Sequence, residues 1–150
     1  MTIIQSPKLP LEPEEKAKMR SAGVRLKELY GIPVEGLVDL LDISPVRAQR
    51  LKSLAIFQNI PSIGIRFAEN LVDILEIYGL EDLKDKDPAD LFDRLEKGCG
   101  YRIDPCVEDQ FRCAVNYAND QTSQKKWHDF TEKRKRFREE FGYPKTRPEG

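Results

Sequence analysis

The chain has 150 residues, 39% of them apolar and 34% charged, with a formal net charge of −1. That suits one domain with tails and a mixed-charge surface, and it gives no global electrostatic case for nucleic acid: any such binding has to come from a local patch. No apolar run is long enough to span a membrane, Met1–Gln5 lacks the basic start and apolar core of a signal peptide, and three cysteines do not make a disulfide framework, so a cytoplasmic protein is expected.

Residues 1–11 carry Pro7 and Pro10 and no periodicity, and read as a mobile tail. Helices are expected over 14–30, with a break at Gly23, and over 34–41, 45–57, 65–78, 88–97, 105–118 and 124–141. Ser44-Pro45, Asp87-Pro88 and Asp104-Pro105 look like helix starts. In each, an oxygen can accept from the first turn while proline fills a position whose N–H has no partner. Val107, Phe111, Ala114, Val115 and Ala118 share one helical face. So do Ala68, Leu71, Val72, Leu75 and Tyr78, widened by Phe67 and Ile74, which implies packing on more than one neighbour. Nothing reads as a strand. The fold class is all-α: a tail over 1–11, a compact helical body over 12–120 and a C-terminal amphipathic helix with its tail over 121–150.

Between two of these helices lies Asn59-Ile60-Pro61-Ser62-Ile63-Gly64-Ile65-Arg66-Phe67-Ala68. Ile60 and Ile63 can tuck beneath a turn and lock the flanking helices together. Gly64 is the position expected to take a positive φ and to let another backbone approach, and Ala68 is small where two helices nearly touch. The helix that starts there would present unpaired N–H groups, an anion site made of backbone. Such a site holds a phosphate without reading a base.

These residues resemble the helix-hairpin-helix motif of DNA repair and processing proteins, placed here at 45–78. The resemblance implies phosphate binding by the amides of Ser62, Gly64 and Ile65, with Arg66 beside them. It also implies a monovalent cation on the carbonyls of Gln58, Ile60 and Ile63. Serine stands at 62 where that motif usually has glycine. A wider likeness runs through Phe57-Gln58-Asn59-Ile60-Pro61-Ser62-Ile63-Gly64, Asp104-Pro105-Cys106-Val107-Glu108-Asp109-Gln110-Phe111-Arg112, Trp127-His128-Asp129-Phe130-Thr131-Glu132-Lys133-Arg134-Lys135 and Gly142-Tyr143-Pro144. Through these segments the chain resembles the bacterial pathogenicity-locus family of helix-hairpin-helix proteins, some of which are labelled mitomycin-resistance proteins.

Local charge completes the expectation. The helix before the hairpin holds Arg47, Arg50 and Lys52 and no acid, the best basic patch in the chain; the helix after it is largely acidic beyond Arg66. Few phosphates would be engaged, so binding would be weak and salt-sensitive. In the last helix Trp127, Phe130, Phe137 and Phe141 form one face expected to dock on the body, with the bases spread around a solvated outside. If left exposed, that face would suit a protein partner. Cys99, Cys106 and Cys113 are expected as free thiols without zinc, because one histidine and no CxxC pair leave too few ligands. No paired-carboxylate or nucleophile constellation is visible. The expectation is a non-catalytic, sequence-nonspecific DNA-binding protein contacting phosphate through Ser62, Gly64, Ile65, Arg66, Arg47 and Arg50. The alternative is a helical accessory subunit with a purely structural hairpin.

Overall fold

The computed structural model describes residues 6–150. Seven α-helices are joined by short 3-10 turns, with no strand among the described residues: α1 Pro13–Ala22, α2 Val34–Leu41, α3 Pro45–Phe57, α4 Ile65–Glu69, α5 Pro88–Cys99, α6 Cys106–Asn119 and α7 Thr131–Phe141. The capping logic holds. Ser44 accepts from the Arg47 amide at 3.2 Å, Asp87 from Ala89 at 3.0 Å and Asp104 from Cys106 at 2.8 Å. Gly23 ends α1 in the left-handed region at φ 70°, so the segment expected over 14–30 is one helix and a separate 3-10 turn, Leu26–Gly31.

Helix α3 is the spine shared by two apolar clusters. Ala48, Leu51 and Ala55 face a smaller cluster with Leu11, Met19, Leu29, Leu37 and Leu41. Leu54 and Phe57 face the larger one, built from the hairpin, α4, α5, α6 and Phe130. Phe67 and Phe111 meet there edge to face, with ring centroids 4.8 Å apart. Each large buried aromatic is worth about 3–5 kcal/mol against truncation to alanine.

The helix expected over 65–78 is shorter and irregular. After Glu69 the backbone widens into a π turn, Asn70–Ile74, closed by Leu75 N–H donating to the Asn70 carbonyl at 3.2 Å. The wider turn keeps Leu71, Val72 and Leu75 buried while Ile74 and Tyr78 stay 39% and 41% exposed. Ile74 still lies close enough to α5 that a Cβ on Gly98 would sit 2.9 Å from its Cγ2, so the small residue permits the approach. Buried Ser53 donates to the Tyr78 carbonyl at 2.7 Å and ties the end of this segment to α3.

Two regions depart from expectation. Residues 6–11 are not a loose tail: Pro7 and Leu11 are buried, and Gln58 clasps Lys8, accepting from its N–H at 2.9 Å and donating to its carbonyl at 2.8 Å. Residues 1–5 lie outside the described residues. The C-terminal helix begins later than 124, as the 3-10 turn Trp127–Phe130 leading into α7. Of its aromatic face only Phe130 is buried; Trp127 and Phe137 are half-buried, and Phe141 is 65% exposed.

Arginines complete the docking that buried Phe130 and half-buried Trp127 begin against the larger cluster. Arg138 bonds Glu108 at 2.8 Å and Asp93 at 2.9 Å, Arg134 bonds Asp109 at 2.9 Å, and Arg147 bonds Glu96 at 2.8 Å. Glu96, Glu108 and Asp109 are fully buried. A buried carboxylate needs a charged or hydrogen-bonding partner, so these three fix where the C-terminal segment lies. Burial dominates at Asp93, whose carboxyl is raised above its ordinary value although Arg138 pulls the other way.

Candidate nucleic-acid interface

The turn between α3 and α4 spends some amides and leaves others. Asn59, Ile60 and Ile63 donate to the carbonyls of Ile56, Phe57 and Ile60, each at 3.1 Å. Pro61 has no N–H. Among the described residues, the amides of Ser62, Gly64, Ile65 and Arg66 meet no protein acceptor. Ile60 and Ile63 are buried beneath the turn and Ala68 is fully buried between the helices, as their size and polarity dictate.

The positive φ falls at Ser62, at 66°, and not at Gly64, which is extended at φ −108° and ψ −172°. The conformational demand therefore sits where the motif usually carries glycine. Gly64 has a different use. A Cβ there would meet nothing within 4 Å, so the bare backbone faces open space that an external group can enter.

That space is a groove of about 680 Å³, lined by the hairpin face Ile63–Phe67, by Ser6, Pro7 and Lys8, by Gln58 and Asn70, and by Val107 and Gln110 of α6. Its cations are Lys8 and Arg66, both exposed and neither in an ion pair among the described residues. Lys8 was hidden from sequence reasoning because residues 1–11 carry no periodicity. The Gln58 side chain, which clasps its backbone, brings it to the rim.

Arg47 and Arg50 do not join this groove. Arg47 makes a two-pronged bond to buried Glu15, 2.7 Å on each prong, and donates to the Pro10 carbonyl at 2.9 Å. Arg50 forks onto Asp73, 2.9 Å on each prong, and reaches Glu69 at 3.4 Å. Lys52 donates to the Ile32 carbonyl at 2.9 Å. Of the patch that looked strongest in the sequence, the two arginines are neutralised by acids from other elements and the lysine is held on a carbonyl, which a count along one helix cannot reveal. The pairing holds the Glu15 and Asp73 carboxyls below their ordinary values, chiefly through the guanidinium hydrogen bonds.

The carbonyls suited to a monovalent cation fit in part. Those of Gln58 and Ile63 accept no hydrogen bond among the described residues, while that of Ile60 already receives the Ile63 amide. No group of three or more His, Cys, Asp or Glu side chains among the described residues could hold a metal ion. Cys99 and Cys106 are half-buried thiols; burial pushes the Cys113 thiol up to about 11. Among the described residues, no helix is long and apolar enough to cross a membrane.

This is an all-helical protein whose central turn exposes backbone donors to a groove. Residues 50–136 match the family described as pathogenicity locus, Cdd1, and the chain belongs to that family. It is also similar to a mitomycin resistance protein, McrB, of Streptomyces lavendulae, at 37% identity over 60 residues. That match takes in 40% of this chain and 56% of the relative, so the chain spans about half the length of the curated relative it matches. No solved structure matches it significantly. The matched stretch starts inside α3 and ends inside α7, so it takes in the whole hairpin and the buried carboxylates of α5 and α6.

Proposed function

We propose that this chain is a non-catalytic, sequence-nonspecific DNA-binding protein, working in the cytoplasm, that holds backbone phosphates on the hairpin amides of Ser62, Gly64 and Ile65 with Arg66 beside them. One observation carries the reading: among the described residues, donors on the Gly64 backbone without a protein acceptor open onto a groove whose cations, Lys8 and Arg66, form no ion pair. Oriented N–H groups and nearby positive charge are what a phosphate diester requires, and they are indifferent to base identity. A monovalent cation, where bound, would sit on the carbonyls of Gln58, Ile60 and Ile63 and add positive charge beside the phosphate.

Arg47 and Arg50 brace the fold in this reading, and Lys8 takes their place at the interface. About two to four phosphates would be engaged, so log affinity should fall with log salt at about −0.9 per phosphate. The test is fluorescence anisotropy of labelled duplexes of unrelated sequence across a salt series. Arg66→Ala should weaken binding to every sequence alike and flatten the slope by about one phosphate's worth. An absence of binding by the unaltered protein at low salt would overturn the reading and leave the hairpin as a structural turn in a helical accessory subunit.

A further inference from the structure

Ser62 is an uneconomical choice of residue. Its φ of 66° costs a non-glycine side chain about 1–2 kcal/mol, and glycine would avoid that cost. The hydroxyl has a use, however: it accepts a hydrogen bond from the backbone N–H of Trp127 at 2.9 Å, across 65 residues of sequence. A second link runs alongside. The Cys113 thiol lies 3.6 Å from the Pro61 carbonyl and 3.4 Å from the Lys125 carbonyl, so one buried sulfur bridges the hairpin and the segment before α7. The backbone of residues 125–127 is thereby held one or two hydrogen bonds from the hairpin tip.

That segment carries Lys125 and Lys126, both exposed and neither in an ion pair among the described residues. They differ in this from Arg134, Arg138 and Arg147, which are clamped on buried carboxylates. The Lys125 ammonium lies 5.9 Å from the centre of the Phe130 ring. Asp129 is the acid at hand. One of its carboxylate oxygens accepts from the Lys126 N–H at 2.8 Å, capping the turn, and the other lies 3.6 Å from His128.

We propose that Lys125 and Lys126 form a second phosphate-binding site continuous with the hairpin, and that Ser62 positions them there. The proposal rests on the hairpin reading above. A lysine stem reaches on the order of 6 Å, enough to meet a strand leaving the hairpin amides across the Ser62 side of the turn. The ligand is a nucleic-acid backbone, because the surface is continuous with donors that suit phosphate and its two lysines are unspent, while the one large apolar residue of the segment, Trp127, is half-buried against the core.

Anisotropy with the same labelled duplex, over a salt series, compares Lys125→Ala/Lys126→Ala, Arg66→Ala, Ser62→Gly and the distant pair Lys16→Ala/Arg20→Ala on α1, with helicity and thermal midpoint followed for each. The lysine pair variant should flatten the salt slope by about one to two phosphates' worth, and the α1 pair should leave it unchanged. Ser62→Gly relieves the backbone and removes the tie. It should flatten the slope in the same direction by less, and lose that effect when the lysines are already gone. If Arg66→Ala weakens binding while the lysine pair variant behaves as the unaltered protein, this proposal falls and the hairpin reading stands. An α1 pair that flattens the slope equally also overturns it, since diffuse charge would then explain the effect. Weakening by the lysine variant with Arg66→Ala neutral sinks the hairpin reading instead, and with it the continuity claimed here. No binding by any form overturns both.

Discussion

The hairpin groove and the C-terminal segment are both rich in positive charge and are built on opposite terms. At the groove Lys8 and Arg66 are exposed and form no ion pair among the described residues. In the C-terminal segment Arg134, Arg138 and Arg147 are sunk onto fully buried Asp109, Glu108 and Glu96. The first arrangement keeps its charge available to a ligand; the second consumes it to hold α7 in place. Helix α3 falls on the second side, with arginines that read as interface and act as braces. A cation therefore counts toward binding only after its intramolecular partners have been subtracted.

The largest expected effect tests the bracing side of that contrast. Arg138→Met keeps an unbranched apolar side chain but removes the guanidinium, which lies over the Tyr143 and Phe137 rings and pairs with Glu108 and Asp93. Glu108 would keep only Arg112, at 3.2 Å, and Asp93 would lose its cation, so the loss should be about 3 kcal/mol, read as a lower urea midpoint with an unchanged m-value. Arg66→Met in the same assay should stay within about 0.5 kcal/mol. Equal losses from the two would erase the distinction.

A smaller effect concerns the brace on α3. Arg47 holds the Glu15 carboxyl below its ordinary 4.5, with burial working against it. Because the folded value is the lower one, this contribution is complete above the unfolded value and is lost as pH falls through the folded value. Arg50 acts on Asp73 with the same sign, below an ordinary 3.8. Glu15→Gln should cost about 1.5–3 kcal/mol at neutral pH and flatten the acid limb of a stability–pH curve below about pH 4.5. A variant that lost stability equally at pH 7 and pH 3 would show that packing, and not the ion pair, holds α1 to α3.

How far these roles could be read from the chain follows from which interactions are local. Helix starts at Ser44, Asp87 and Asp104 were legible because a cap is a bond over two or three residues. The buried face of α6 was legible by period. The placement of Ile60, Ile63 and Ala68 followed from size and polarity within one turn. Arg47–Glu15, Arg50–Asp73 and Ser62–Trp127 were not legible, since they join residues 32, 23 and 65 positions apart. The sequence does mark one of these roles: Arg134 and Arg138 lie on the same helical face as Phe130, Phe137 and Phe141. An arginine inside an apolar stripe implies a buried acid opposite, and adjacent Glu108 and Asp109 supply it. Likewise the serine at the turn signalled a hydroxyl with work to do, although its partner could not be named. The π turn after α4 had no sequence mark, because its extra residue preserves an apolar pattern that an α-helix would also satisfy.

A small expected effect on stability goes with the sharpest effect on function. Gly64 is extended rather than left-handed, and a Cβ there meets nothing within 4 Å, so neither backbone strain nor a clash inside the protein opposes a side chain. Gly64 precedes α4 as its cap residue, and exchanging glycine for alanine at that position should cost about 1 kcal/mol or less. The same methyl group would project into the groove where a phosphate has to approach the amides of Gly64 and Ile65. Gly64→Ala should therefore unfold within a few degrees of the unaltered protein and lose most of its affinity for duplex DNA. Gly64→Val should lose the remainder. Had the glycine carried the positive φ, both variants would have damaged the turn and confounded binding with folding. With that demand at Ser62, the two readouts separate. A Gly64→Ala protein that binds duplex as tightly as the unaltered one would place the phosphate elsewhere, and the free amides of the turn would then be hydrated surface.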